Sequence, residues 1–157
     1  MVLAGEISES DKRIVQESGI PQLVKLPGYL SHPESVSLIR GADLLFLPMH
    51  NLPDGTRATI VPGKTYEYMA TGNPILAAVP EGDVKDFLQQ CGTAFICKPD
   101  DVKGMIAILD KTFRAWQHGE KIVKFNNSFV KKFERKYLTS KLATFFNSVL
   151  QAESAKR

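Results

Sequence analysis

The chain has only two cysteines in 157 residues, Cys91 and Cys97, and they are not in a C-x-x-C arrangement. That argues for a reducing compartment rather than a disulfide-held secreted fold. Its three histidines, His32, His50 and His118, are scattered and give no metal-ligand spacing. Long apolar runs are missing too. "DLLFLPM" and "PILAAVP" fall far short of the roughly 18 to 20 residues that cross a bilayer, and no charged head with an apolar core marks a signal peptide. Neither sign of charge dominates, and a net +3 does not call for nucleic acid as a partner. There are no internal repeats and no low-complexity segment. A soluble cytoplasmic protein is the expectation.

What is present is a globular composition, 43% apolar and 24% charged, long enough for one domain with a proper core. Short apolar runs alternate with helical patterns. "MVLAG" reads as a strand ended by Gly5, and "SESDKRIVQESG" as a helix with acids in its first turn and a closing glycine. "QLVKLPGYL" is a second strand, and "HPESVSLIRGA" a helix with proline near its first position, where the missing N–H does no harm. "DLLFLPM" is a third strand, continuous in apolar residues and so expected to be covered on both faces. A loop over 50–63 leads to the helix "KTYEYMATG". The strand "PILAAV", a helix near 82–91, the strand "AFICK" and a helix over about 101–116 follow. This β-α-β-α order predicts an α/β fold, a three-layer, doubly wound parallel sheet of about five strands, Rossmann-like, over residues 1–119.

Residues 120–157 carry no strand signal and are expected to complete the same domain as two helices broken near Asn126 and Asn127. Between Lys121 and Lys141 seven bases, Lys121, Lys124, Lys131, Lys132, Arg135, Lys136 and Lys141, stand against one acid, Glu134. They read as a solvated helix face or as a weak peripheral contact with anionic lipid. Leu138, Leu142, Phe145, Phe146, Val149 and Leu150 fall mostly at i, i+3, i+4 and i+7 spacings. That stripe is expected to dock on its own domain; pairing with a second copy is the alternative.

In open parallel sheets ligands sit beyond the carboxyl ends of the strands. The loops after Gly5, Gly28, Met49 and Val79 qualify. The one at 50–63 stands out by length, since such connections usually run about 2 to 6 residues. It carries His50, Asp54, Gly55, Arg57 and Gly63, and its charged groups are expected to stay mobile without a ligand. The loop ends at a helix start, whose unpaired N–H groups and partial positive charge suit a phosphate. Lys64 and Arg57 would add to that attraction. Glu67, one turn in, would repel a phosphate but can accept hydrogen bonds from hydroxyls, such as those of a ribose. On spacing alone Lys64 and Glu67 are equally a surface i,i+3 pair, with Glu67 complementing the helix dipole.

The order "GYLSHPESVSLIRGADLLFLPM", then a Gly/Pro-rich loop, then "GKTYEYMATGNPILAAVPEGD", resembles the C-terminal, nucleotide-sugar-binding domain of GT-B glycosyltransferases. The closest resemblance is to the large retaining, group 1 family that builds polysaccharides and glycolipids. It runs from about Val2 to the end. It implies that Glu67 holds the donor ribose hydroxyls and that Gly63, Lys64 and Thr65 face the phosphates. The turn at Gly28, Tyr29 and Leu30 would border the nucleobase. The donor would be a UDP- or GDP-sugar, with no metal, because helix dipole and basic side chains stabilise the leaving diphosphate. Two departures stand out. Thr59 occupies the position eight before Glu67 where the family often has a second glutamate. The chain also opens at what matches the family's second strand, so the first strand and helix with their basic pair, and the N-terminal acceptor-binding domain, are expected to be missing. Sugar transfer by this chain alone is then not expected. A non-catalytic nucleotide-sugar-binding module or subunit, or part of a GT-B-fold sugar-nucleotide epimerase, remains the alternative. The lack of G-x-G-x-x-G after the first strand disfavours a dinucleotide oxidoreductase, and no acidic cluster ends the early strands as a receiver-like flavodoxin fold would require.

Overall fold

The computed structural model describes residues 1–53 and 56–154. Asp54 and Gly55 of the long loop, and Ala155 to Arg157, lie outside the described residues. The chain divides into two compact units, Met1–Gly41 and Ala42–Arg157.

In the first unit, β1 (Val2–Ala4) and β2 (Lys25–Gly28) pair in parallel. Between them runs α1 (Glu9–Glu17). Ser8 caps α1, its Oγ accepting from the Asp11 N–H at 3.1 Å, and Glu9 and Asp11 fill the first turn where the dipole favours acids. A single 3-10 turn at Pro21–Leu23 delays β2. Then comes α2 (His32–Arg40). Glu34 Oε2 accepts from both the Ser31 N–H, at 2.8 Å, and the Ser31 hydroxyl, at 2.6 Å. Those bonds favour the charged carboxylate and hold its pKa below the usual value.

The second unit is built on β3 (Leu45–Pro48), β4 (Ile75–Ala78) and β5 (Ala94–Cys97), all parallel, with β4 in the middle. The helices α3 (Gly63–Thr71), α4 (Asp83–Cys91) and α5 (Val102–Gln117) follow the strands in turn. The α/β class, the parallel pairing of the strands within each unit and the helical tail agree with the reading of the sequence. The strands are hydrogen-bonded as two groups, β1-β2 and β3-β4-β5.

The core lies in the second unit. Ile75, Leu76, Ala77 and Ala78 of β4 are all buried, as expected of a strand flanked on both sides. Val84, Leu88 and Cys91 at i, i+4 and i+7 bury one face of α4. The expectation that β3 is covered on both faces is corrected: Leu45 and Leu47 are buried but Phe46 between them is exposed. Apolar content alone cannot separate a two-faced strand from a one-faced one. Helix α5 buries Thr112 and Ala115 and leaves Ile106, Leu109, Phe113 and Trp116 exposed.

The tail also departs from expectation. Residues 120–126 are not helical, and α6 is one short turn (Asn127–Val130), followed by a 3-10 turn. The backbone of the non-helical segment is satisfied elsewhere: the Lys124 N–H donates to the Gly92 carbonyl at 3.2 Å and the Asn126 N–H to the Cys91 carbonyl at 2.9 Å. These contacts close the C-terminal end of α4, whose last carbonyls have no helical partner. Phe129 and Phe133 then meet Phe87 of α4 and Tyr66 of α3, with ring centroids 5.0 to 6.3 Å apart. Beyond this aromatic cluster, α7 (Arg135–Ser154) is different. Every side chain from Arg135 to Ala152 is exposed, so the expected docking of the apolar stripe on its own domain does not occur. No described helix is long and apolar enough to cross a membrane.

Candidate functional site

Two places correspond to the residues singled out in the sequence, one in each unit. In the first unit the loops that follow β1 and β2 border an open cleft of about 490 Å³. Gly5, Glu6 and Ile7 form one wall, and Leu26, Pro27, Gly28 and Tyr29 another, with Lys12 of α1 alongside. This is the carboxyl end of both strands, where parallel sheets bind ligands. Gly28 turns the chain at φ 77°, in the left-handed region where a side chain would be strained. Tyr29 emerges from that turn 82% exposed, its ring free to stack on a planar group. Leu30 beside it is half-buried. Lys12 is held by Glu9 Oε1 at 2.6 Å.

In the second unit the site is the start of α3. Pro62 stands at the N-cap with no side chain capping the helix. Proline has no donor of its own and fixes the chain's entry angle. The Thr65 N–H folds back to the Pro62 carbonyl at 2.9 Å, while among the described residues the N–H groups of Gly63 and Lys64 make no backbone hydrogen bond. A Cβ on Gly63 would meet nothing within 4 Å, so the approach to the helix end is open. Lys64 and Glu67 are both exposed, and among the described residues they form no salt bridge with each other or with any other side chain. The surface-pair reading of these two is therefore not what the structure contains. Glu67 does act on its neighbour: burial first, and then the Glu67 carboxylate, push the Tyr68 hydroxyl pKa up.

Thr65 differs from its neighbours. It is wholly buried, and its Oγ1 has no hydrogen-bond partner among the described residues. Such a hydroxyl is costly unless something else satisfies it.

Arg57 is not at the start of α3. Its Nη2 donates to Asp86 Oδ2 at 2.8 Å and lies 3.8 Å from Asp83 Oδ1, both in the first turn of α4. Next to it Ala58 is buried and bridges the turn before α4. The Ala58 N–H donates to the Glu81 carbonyl at 2.8 Å, and the Asp83 N–H to the Ala58 carbonyl at 2.9 Å. Asn51 reaches Asp100 Oδ2 at 3.1 Å. The expected mobility of Arg57 and its loop is thus corrected over Arg57 and Ala58: two carboxylates and a backbone bridge hold them without a ligand.

Sequence reasoning missed Asp83 and Asp86 as the partners of Arg57, and Glu6, Ile7 and Lys12 as walls of the cleft. The first pairing spans 29 positions, with no local signal. The turn "PEGD" was a signal for the bridge, since Gly82 sits at φ 149° and any Cβ there would collide with the Ala58 carbonyl.

No family model matches the chain, and no curated protein matches it. Among solved structures, the crystal structure of Anabaena Alr3699/HepE in complex with UDP matches with a TM-score of 0.63 at 18% identity. The match covers 94% of this chain and 40% of that one, so the chain spans about 40% of HepE's length. At this identity the likeness establishes the fold, a Rossmann-like α/β arrangement.

Proposed function

We propose that this chain is the donor-binding half of a GT-B-type glycosyltransferase, of the retaining group 1 kind that builds polysaccharides or glycolipids. The observation that carries the reading is the uncapped start of α3. Open backbone donors stand there within one turn of Lys64 and Glu67, neither of which is in a salt bridge among the described residues. A diphosphate is drawn to the helix end and Lys64. Glu67, acceptor-only, takes hydrogen bonds from the ribose hydroxyls. Gly63 lets the phosphate approach the backbone, and the Thr65 hydroxyl, without a partner among the described residues, lies in the same turn. Arg57 joins only if the ligand draws it away from Asp86. The donor is a UDP- or GDP-sugar, and the fold likeness to a protein solved with UDP supports that choice. No metal takes part in this reading.

Transfer itself would also require an acceptor-binding site, and this reading assigns none to the residues of the chain. The expected behaviour is binding without turnover. Isothermal calorimetry with UDP, GDP and their sugars is the test. Heat with one nucleotide, lost in Glu67→Ala while the melting temperature holds, supports the reading. No heat with any of them at millimolar ligand rejects it.

A further inference from the structure

Helix α3 is anchored by few of its own side chains: among its residues only Thr65 and Met69 are buried. Its C-terminal end is fixed from two directions. The Asn73 side chain donates to the Ala42 carbonyl at 2.9 Å. The Phe125 ring lies against Gly72, where an added Cβ would stand 3.3 Å from it. At the first turn the contact is Tyr66, whose ring meets Phe133 with centroids 5.3 Å apart and Phe87 of α4 at 6.3 Å. Phe125 and Phe133 both belong to the segment between α5 and α7, so one stretch of chain touches both ends of α3.

That stretch is itself held by α4. Besides the backbone bonds to Cys91 and Gly92, the Asn126 side-chain amide donates to the Gln90 carbonyl at 3.1 Å, and its Oδ1 accepts from the Phe129 N–H at 3.1 Å. Phe133 then rests on Phe87 at 5.0 Å and on the buried Phe129 at 5.2 Å. Its place is supported by α4 and α6 independently of α3.

We propose that residues 124–133 form a strap that sets the placement of the first turn of α3, and that Phe133, acting through Tyr66, is a positioning residue for the site there. Tyr66 stands between Thr65, whose hydroxyl has no partner among the described residues, and Glu67. A helical turn moves as a unit, so a shift at Tyr66 carries Gly63, Lys64 and Glu67 with it. Groups that must meet one ligand together have to be held to within about 0.5 Å. The ligand side of this inference rests on the donor-binding reading of α3; the placement of the helix does not.

Amide exchange followed by NMR reads the helix without a ligand. Phe133 is half-buried, so Phe133→Ala should leave the core of the sheet intact. In that variant the Glu67 and Tyr68 amides, whose helical acceptors are the Gly63 and Lys64 carbonyls, should exchange about three- to tenfold faster, the factor expected for loss of one aromatic pair. Amides of β4 should keep their wild-type rates, and Phe133→Tyr, which keeps the ring, should restore α3. In calorimetry with UDP and GDP, Phe133→Ala should weaken binding by about the same factor, and adding it to Tyr66→Ala should cost nothing further. The proposal is overturned by α3 amides that exchange at the wild-type rate, by faster exchange in α3 and β4 together, by nucleotide affinity that Phe133→Ala leaves unchanged, or by effects of the two variants that simply add. Absence of binding by the wild-type protein rejects the donor reading instead, and the exchange rates then decide the strap by themselves.

Discussion

Arg57 and Asp86 form an ion pair that ties the loop after β3 to the first turn of α4, Nη2 to Oδ2 at 2.8 Å. Both side chains are about half exposed, 56% and 47%, so water and salt screen the attraction. Arg57→Gln should therefore change stability by less than about 1 kcal/mol. The same pair sets a competition for the guanidinium. Asp86→Asn should strengthen binding of UDP or GDP if a diphosphate recruits Arg57, and calorimetry on the two variants reads this directly. Unchanged affinity in both would assign Arg57 to the loop alone.

Glu67→Ala isolates the ribose contact. Loss of hydrogen bonds to a charged acceptor should weaken nucleotide binding by about 1.5 to 3 kcal/mol. Because Glu67 is exposed and has no ion-pair partner among the described residues, the melting temperature should not move. A sharp drop in melting temperature with intact affinity would make it a structural residue.

Thr65 offers a sign test. Replacing its buried hydroxyl, unpartnered among the described residues, with the methyl of Thr65→Val should stabilise the free protein by about 1 kcal/mol in a denaturant titration. If the hydroxyl serves the ligand, the same variant binds nucleotide more weakly. Destabilisation would mean that the hydroxyl has a partner in the folded protein.

Gly82 should be intolerant of any side chain. At φ 149° and against the Ala58 carbonyl, Gly82→Ala has to break the bridge that holds the loop, at a cost of at least about 2 kcal/mol. Gly63→Ala, where a Cβ meets open space, should leave stability unchanged. Thermal melts of the pair give the comparison.

The thiols set an alkaline limit. Burial pushes Cys91 up, with Thr93 partly opposing it, and burial followed by the Asp101 charge pushes Cys97 up. The folded state then keeps both protons to a higher pH than the unfolded state does. Stability from this source is whole below the usual thiol value of 9.0 and is lost as pH rises beyond it. The melting temperature should be flat between about pH 7 and pH 8 and begin to fall as the pH rises past about 9. A flat profile throughout would show that neither thiol feels its burial.

The alternation of strands and helices was legible because each element carries its own period and punctuation. Ser8 before the acids of α1, Ser31 with Glu34 at α2, and glycines closing α3 and α4 are local signals, and all lie where the structure uses them. The start of α3 was legible for the same reason, since Pro62 and Gly63 announce an end with open donors. What only the tertiary structure decided are contacts between residues far apart in the chain. Arg57 and Asp86 are 29 positions apart, and the Lys124 and Asn126 N–H groups meet the end of α4 from beyond a whole helix. Short-range periodicity carries no information about such partners. Burial of Thr65 and exposure of Phe46 and of the α7 stripe have the same origin. A side chain's type sets what it can bury, but which face meets a neighbour is decided by the packing of elements that are distant in sequence.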